Sequence, residues 1–72
     1  MTPVILRIAL DTPLRRLFDY LPPREPQATP MIGARVRVPF GRQRLVGVVI
    51  AHADSSELPR EKLKAVLELI DD

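Results

Sequence analysis

Arg35-Val36-Arg37-Val38-Pro39-Phe40 is followed by the turn Gly41-Arg42-Gln43 and then by Arg44-Leu45-Val46-Gly47-Val48-Val49-Ile50-Ala51. The first segment alternates strictly. Val36, Val38 and Phe40 fall on one side and Arg35 and Arg37 on the other, the period of two of a half-buried strand. Glycine at 41 tolerates positive φ, so the chain can reverse there. The second segment is apolar and rich in β-branched residues, so the two read as a hairpin. Gly47 inside the second strand predicts a bulge or a close approach of another backbone.

Working outward, Val4-Ile5-Leu6-Arg7-Ile8-Ala9-Leu10 reads as a largely buried strand that Asp11-Thr12-Pro13 ends. Leu17-Phe18-Asp19-Tyr20-Leu21 is a short second strand, closed by Pro22-Pro23. Residues 22–33 hold prolines 22, 23, 26 and 30 and Gly33, which predicts a surface loop ending in a turn at Ile32-Gly33. On the other side, Ser55-Ser56-Glu57-Leu58-Pro59 resembles a helix start, with serine as the cap. Beyond it, Leu63, Val66, Leu67 and Ile70 follow a helical stripe, while Ala65, Leu67 and Leu69 also alternate with Val66, Glu68 and Ile70 as in a strand. Periodicity alone favours the helix. The expected architecture is mainly β: an antiparallel meander curved towards a barrel, with a short terminal element.

Residues 1–72 are read as one small domain. A core of this size leaves a fold only marginally stable, which suggests a piece of a larger protein. Cysteine is absent, so disulfides and thiolate metal sites are excluded. His52, the single histidine, cannot build a zinc site alone. The chain has no apolar run of the roughly 20 residues that cross a bilayer. Nor is there a charged segment ahead of apolar residues as in a signal peptide, and the expected location is cytoplasmic. Residues 1–52 carry eight basic and three acidic side chains, a net of +5, and residues 53–72 carry three against six, a net of −3. A basic body with an acidic tail permits phosphate binding on one face.

The chain carries no nucleophile–base pair and no phosphate-binding glycine loop, so catalysis is not expected of it. Two features remain. Residues 35–44 hold Arg35, Arg37, Arg42 and Arg44 without an acid, a set suited to phosphate contact and equally to the outward face of a strand. Phe18-Asp19-Tyr20 places a carboxylate between two rings. One ring is ordinarily core, but a ring at an edge can stack a base for roughly 1–3 kcal/mol. The acid can accept from base amino groups or from a sugar hydroxyl. Together they suit a strand end better than a strand backbone.

Phe18-Asp19-Tyr20, Arg35-Val36-Arg37-Val38-Pro39-Phe40-Gly41-Arg42, the valine-rich strand, Glu57-Leu58-Pro59 and Leu63-Lys64-Ala65-Val66 resemble, in order and spacing, the start of the primosomal protein N-prime (PriA) family of replication-restart helicases. The resemblance implies a 3′ DNA-binding domain of a larger protein that also has a winged-helix domain, an ATP-hydrolysing helicase motor and a zinc-binding insertion. ATP, magnesium and zinc are thus implied for the parent, and no cofactor for this chain. It implies a pocket taking the terminal nucleotide of a strand, whatever its base, with Phe18, Asp19, Tyr20, Gly41 and Lys64 in it. The implied partners are DNA with a free 3′ end, forked DNA, the other domains of the helicase, and primosome and single-strand-binding proteins, with no membrane. It further implies a helical turn near residues 58–63 and a last strand over 64–70, against the helical stripe. The proline loop is richer in proline than the family pattern. Two other readings stand beside this one: a general nucleic-acid-binding barrel of SH3-like or OB-like kind without end specificity, and a protein-interaction module using the edge of the second hairpin strand.

Overall fold

The computed structural model describes residues 4–13, 16–24 and 29–70. The centre of the proline-rich loop, Pro26 included, lies outside them. Five strands form one antiparallel sheet: β1 (Ile5–Leu10), β2 (Leu17–Tyr20), β3 (Arg35–Phe40), β4 (Gln43–Ala53) and β5 (Glu68–Leu69). Their order is β2-β1-β4-β3-β5. Chain neighbours β1 and β2 pair, as do β3 and β4, and the two pairs are joined through β1 and β4. The sheet is curved, and its outer strands approach each other at one point. Leu21 and Ala65 form a parallel bridge, with Leu21 N–H donating to Lys64 C=O and Val66 N–H to Leu21 C=O, both at 2.9 Å.

The β3–β4 hairpin follows from the alternation. Phe40 pairs with Gln43 across a two-residue loop in which Gly41 takes φ 59° and no non-glycine residue has positive φ. Those signs fit a type II′ turn, whose first position favours glycine. In this register Val36, Val38 and Phe40 share the inner face with their partners Gly47, Leu45 and Gln43. Arg35, Arg37 and Pro39 share the outer face with Val48, Val46 and Arg44. The inner face builds the core: Leu6, Ile8, Tyr20, Val36, Val38, Val49 and Val66 are buried together, with Phe18 and Leu69 packed against them.

Gly47 marks a close approach rather than a bulge. A Cβ there would sit 2.5 Å from Ile8 Cγ2 and 2.8 Å from the Ala9 carbonyl oxygen. The bulge lies three residues on. Arg7 pairs with Ala51 and Ile8 with Val49, so Ile50 is the extra residue in β4. The loop before β3 ends in the expected turn, closed by Ala34 N–H on Met31 C=O. His52 Nε2 lies 2.8 Å from the buried Pro30 carbonyl, which gives the histidine a structural partner.

The C-terminal segment departs from the periodicity reading. A single 3₁₀ turn, Arg60–Lys62, replaces a helix, and Pro59 caps it without a side-chain hydrogen bond. Neither Ser55 nor Ser56 is that cap. Leu67 and Ile70 are 46% and 38% exposed, so the apparent stripe does not share one buried face. The segment is extended instead: Leu67 and Ile70 N–H donate to the carbonyls of Arg37 and Arg35. A regular ladder with β3 covers only Glu68 and Leu69, shorter than the strand expected over 64–70.

Candidate functional site

Phe18, Asp19, Tyr20, Gly41 and Lys64 come from three separate parts of the chain and line one pocket of about 180 Å³, with Pro39, Phe40, Leu58 and Lys62 completing it. The topology brings them together. β2 is an outer strand, and the Leu21–Ala65 bridge draws the Lys64 backbone against its end. The β3–β4 turn reaches the same place, because the Phe18 and Phe40 rings meet edge to face at 5.1 Å between centroids.

Each residue has a distinct setting. Tyr20 is 5% exposed, a wall rather than a free stacking surface. Its hydroxyl donates to the Pro39 carbonyl at 2.7 Å, tying β2 to β3. Burial raises its phenol above the ordinary 10.0. The sign follows: below pH 10.0 both folded and unfolded phenols are neutral, and above it the unfolded phenol ionises first, so stability falls as pH rises towards the folded value. Tyr20→Phe is expected to cost about 1 kcal/mol at neutral pH. Its deficit against the wild type should shrink above pH 10, as paired urea titrations across pH will show.

Phe18 is half-buried, and the Arg16 guanidinium lies over its ring, 4.8 Å from the centroid. Gly41 is exposed, and nothing lies within 4 Å of a Cβ built on it. Its requirement for glycine is therefore conformational in the chain itself. Lys64 is exposed, with no ion pair among the described residues. Asp19 faces Arg7 across the β1–β2 ladder, with Arg7 Nε 3.8 Å from Oδ1. Its Oδ2 accepts a hydrogen bond from the Ser56 hydroxyl at 2.5 Å. Ser56, Leu58 and Lys62 are not expected in the site from sequence: Ser56 and Leu58 read as a helix start, Leu58 also belongs to the Glu57-Leu58-Pro59 motif, and Lys62 carries no signal. Proximity in the fold assigns them to it.

Two wider grooves flank the pocket. One, of about 490 Å³, shares Pro39 and Lys64 with it and adds Arg24 and Glu61. The other, of about 480 Å³, shares Phe18, Asp19 and Leu58 and adds Arg7, Arg16 and Glu57. The small pocket is below the roughly 300–1,000 Å³ of sites that enclose a whole small ligand. It suits one end of a longer chain, with cationic side chains available on both sides.

The four candidate phosphate contacts separate. Arg35, Arg37 and Arg44 belong to the outer face of the hairpin. Arg37 is ion-paired with Glu68, its register partner on β5. The lack of an acid between residues 35 and 44 is thus a local property that the fold compensates. Arg42 and Arg44 are exposed and carry no ion pair among the described residues. None of the four lines the small pocket. Among the described residues no group of three or more metal-ligating side chains occurs, and no helix is long and apolar enough to cross a membrane.

Comparison with known proteins gives one consistent result. Residues 7–72 match the family model of the PriA 3′ DNA-binding domain. The replication restart protein PriA of Haemophilus influenzae is 46% identical over 67 residues, covering 93% of this chain and 9% of that protein. PriA of Buchnera aphidicola subsp. Schizaphis graminum is 32% identical over 68 residues, covering 94% of this chain and again 9% of the relative. The chain therefore spans about a tenth of the length of these relatives.

Proposed function

Since the chain belongs to the PriA 3′ DNA-binding domain family, we propose that it binds the 3′ end of a DNA strand in the pocket between β2, the β3–β4 turn and Lys64, without selecting the base. The observation that carries this reading is the convergence of Phe18, Asp19, Tyr20, Gly41 and Lys64 on one small pocket. Asp19 supplies the acceptor for a terminal hydroxyl or a base amino group. Phe18 and Leu58 supply apolar walls, and an open Gly41 lets a base lie against main chain. Lys64 supplies the cation for the last phosphodiester. Contacts to main chain, sugar and phosphate hold an end without reading its sequence.

In the longer protein this binding directs a helicase to stalled forks, where the end in question is that of the nascent leading strand, so that the primosome can be reassembled. ATP, magnesium and zinc belong to other parts of that protein.

The test is fluorescence anisotropy with two single strands identical except for a 3′-hydroxyl or a 3′-phosphate. Tighter binding to the hydroxyl end is expected. Equal affinities with a steep salt dependence would shift the function to a second reading, general nucleic-acid binding by exposed cations such as Arg42 and Arg44.

A further inference from the structure

Asp19 has two carboxylate oxygens, and the fold treats them differently. Oδ2 accepts from the Ser56 hydroxyl. Among the described residues Oδ1 has only Arg7 Nε, at 3.8 Å, which is Coulombic contact beyond hydrogen-bond reach. The side chain is 19% exposed, so its lone pairs are not lost to bulk water. Ser56 is itself fixed, because its Oγ accepts from Leu58 N–H at 3.2 Å. Leu58 in turn lines the pocket beside Asp19. One serine hydroxyl thus ties a pocket wall to a pocket acid that lies 37 residues before the serine in the chain.

We propose that Ser56 is a positioning residue for strand-end recognition: by holding Oδ2 it turns Oδ1 of Asp19 to the terminal 3′-hydroxyl, and it couples that oxygen to the wall formed by Leu58. The proposal rests on the end-binding reading above and adds to it a residue that need not touch DNA. An ionised carboxylate offers acceptors only, so a hydroxyl donor satisfies Oδ1 whereas a 3′-phosphate brings like charge to it. Fixing the carboxylate in advance removes the rotamer entropy that would otherwise oppose binding. Arg7 contributes the countercharge while leaving the hydrogen-bonding positions of Oδ1 open.

The experiment measures the ratio of affinities for 3′-hydroxyl and 3′-phosphate strands in the 72-residue chain and its variants. Ser56→Ala is expected to lower that ratio roughly fivefold, the scale of one hydrogen bond. Ser56→Thr, which keeps the hydroxyl, should restore it. Ser56→Ala should not change the salt slope, because no phosphate-neutralising cation is lost. In an Asp19→Ala background, Ser56→Ala should have no further effect on the ratio, which separates positioning from a general loss of structure. A wild-type chain that discriminates while Ser56→Ala keeps the full ratio overturns this proposal alone. So does a Ser56→Thr chain that loses as much as Ser56→Ala. A wild-type chain that does not discriminate overturns the end-binding reading and the proposal with it.

Discussion

Gly47→Val is expected to leave the chain unfolded at 25 °C, and Gly47→Ala to lower its melting temperature by ten degrees or so. Gly47 is needed for space and not for an unusual backbone, since its φ is not positive. A Cβ would lie 2.5 Å from Ile8 Cγ2, 2.5 Å from Leu10 Cδ2 and 2.8 Å from the Ala9 carbonyl oxygen. Ile8 is fully buried and has no room to retreat. Ala9 pairs with both Leu17 and Val48, so its backbone cannot shift without disturbing two ladders. Overpacking of this kind costs about 1–3 kcal/mol for a methyl group. Valine adds two more methyls at the same point. A domain this small seldom has more than about 3–5 kcal/mol in hand. Each lost kcal/mol lowers the midpoint of so short a chain by roughly 4–8 °C. Thermal melts followed by circular dichroism read both variants, and a Gly47→Val chain that melts like the wild type would mean that β1 and β4 do not approach as described.

The same glycine shows how far the fold can be read from residues alone. A glycine in an apolar strand announces a close neighbour but not which one. The neighbour is β1, whose pairing with β4 spans some forty residues and depends on the whole core. The β3–β4 hairpin was legible because its signals are local: an alternating strand, a glycine turn and an apolar return. The segment over 64–70 was not legible from periodicity. Leu63 and Val66 are buried while Leu67 and Ile70 are exposed, so the helical spacing joins residues that share no face of the extended backbone. Resemblance to a family supplied the strand that the pattern withheld. The arginine stripe was misleading for the opposite reason, since local composition hid Glu68, which the fold sets against Arg37. At the pocket, the Phe-Asp-Tyr motif was visible in sequence, but the part that Ser56 and Leu58 play there, in a stretch that reads as a helix start, emerges only from the loop after β4 folding against β2.

Asp19→Ala is expected to reduce affinity for a 3′-hydroxyl strand roughly 10- to 150-fold, the effect of about 1.5–3 kcal/mol for a hydrogen bond to a charged group. Affinity for a 3′-phosphate strand should fall far less, and removal of a nearby negative charge could raise it. The reason lies in the isolation of the site. Among the residues lining the small pocket, Asp19 is the one carboxylate, and Lys62 and Lys64 supply its cations. Removing Asp19 therefore deletes the anionic acceptor but leaves the cations and the apolar walls. Binding of DNA as such should persist, with its salt dependence little changed, while the preference for a free end disappears. The fold should survive, because the carboxylate's partners among the described residues, Arg7 and Ser56, both retain access to water. Equal losses on the two strands, with an unchanged melting temperature, would assign Asp19 to general binding. A large drop in melting temperature would instead make the Arg7–Asp19–Ser56 set a structural clasp between β1, β2 and the loop after β4. The two variants thus probe different links of one chain of causes: Gly47 tests whether β1 and β4 meet, and Asp19 tests what the pocket held up by that pairing is for.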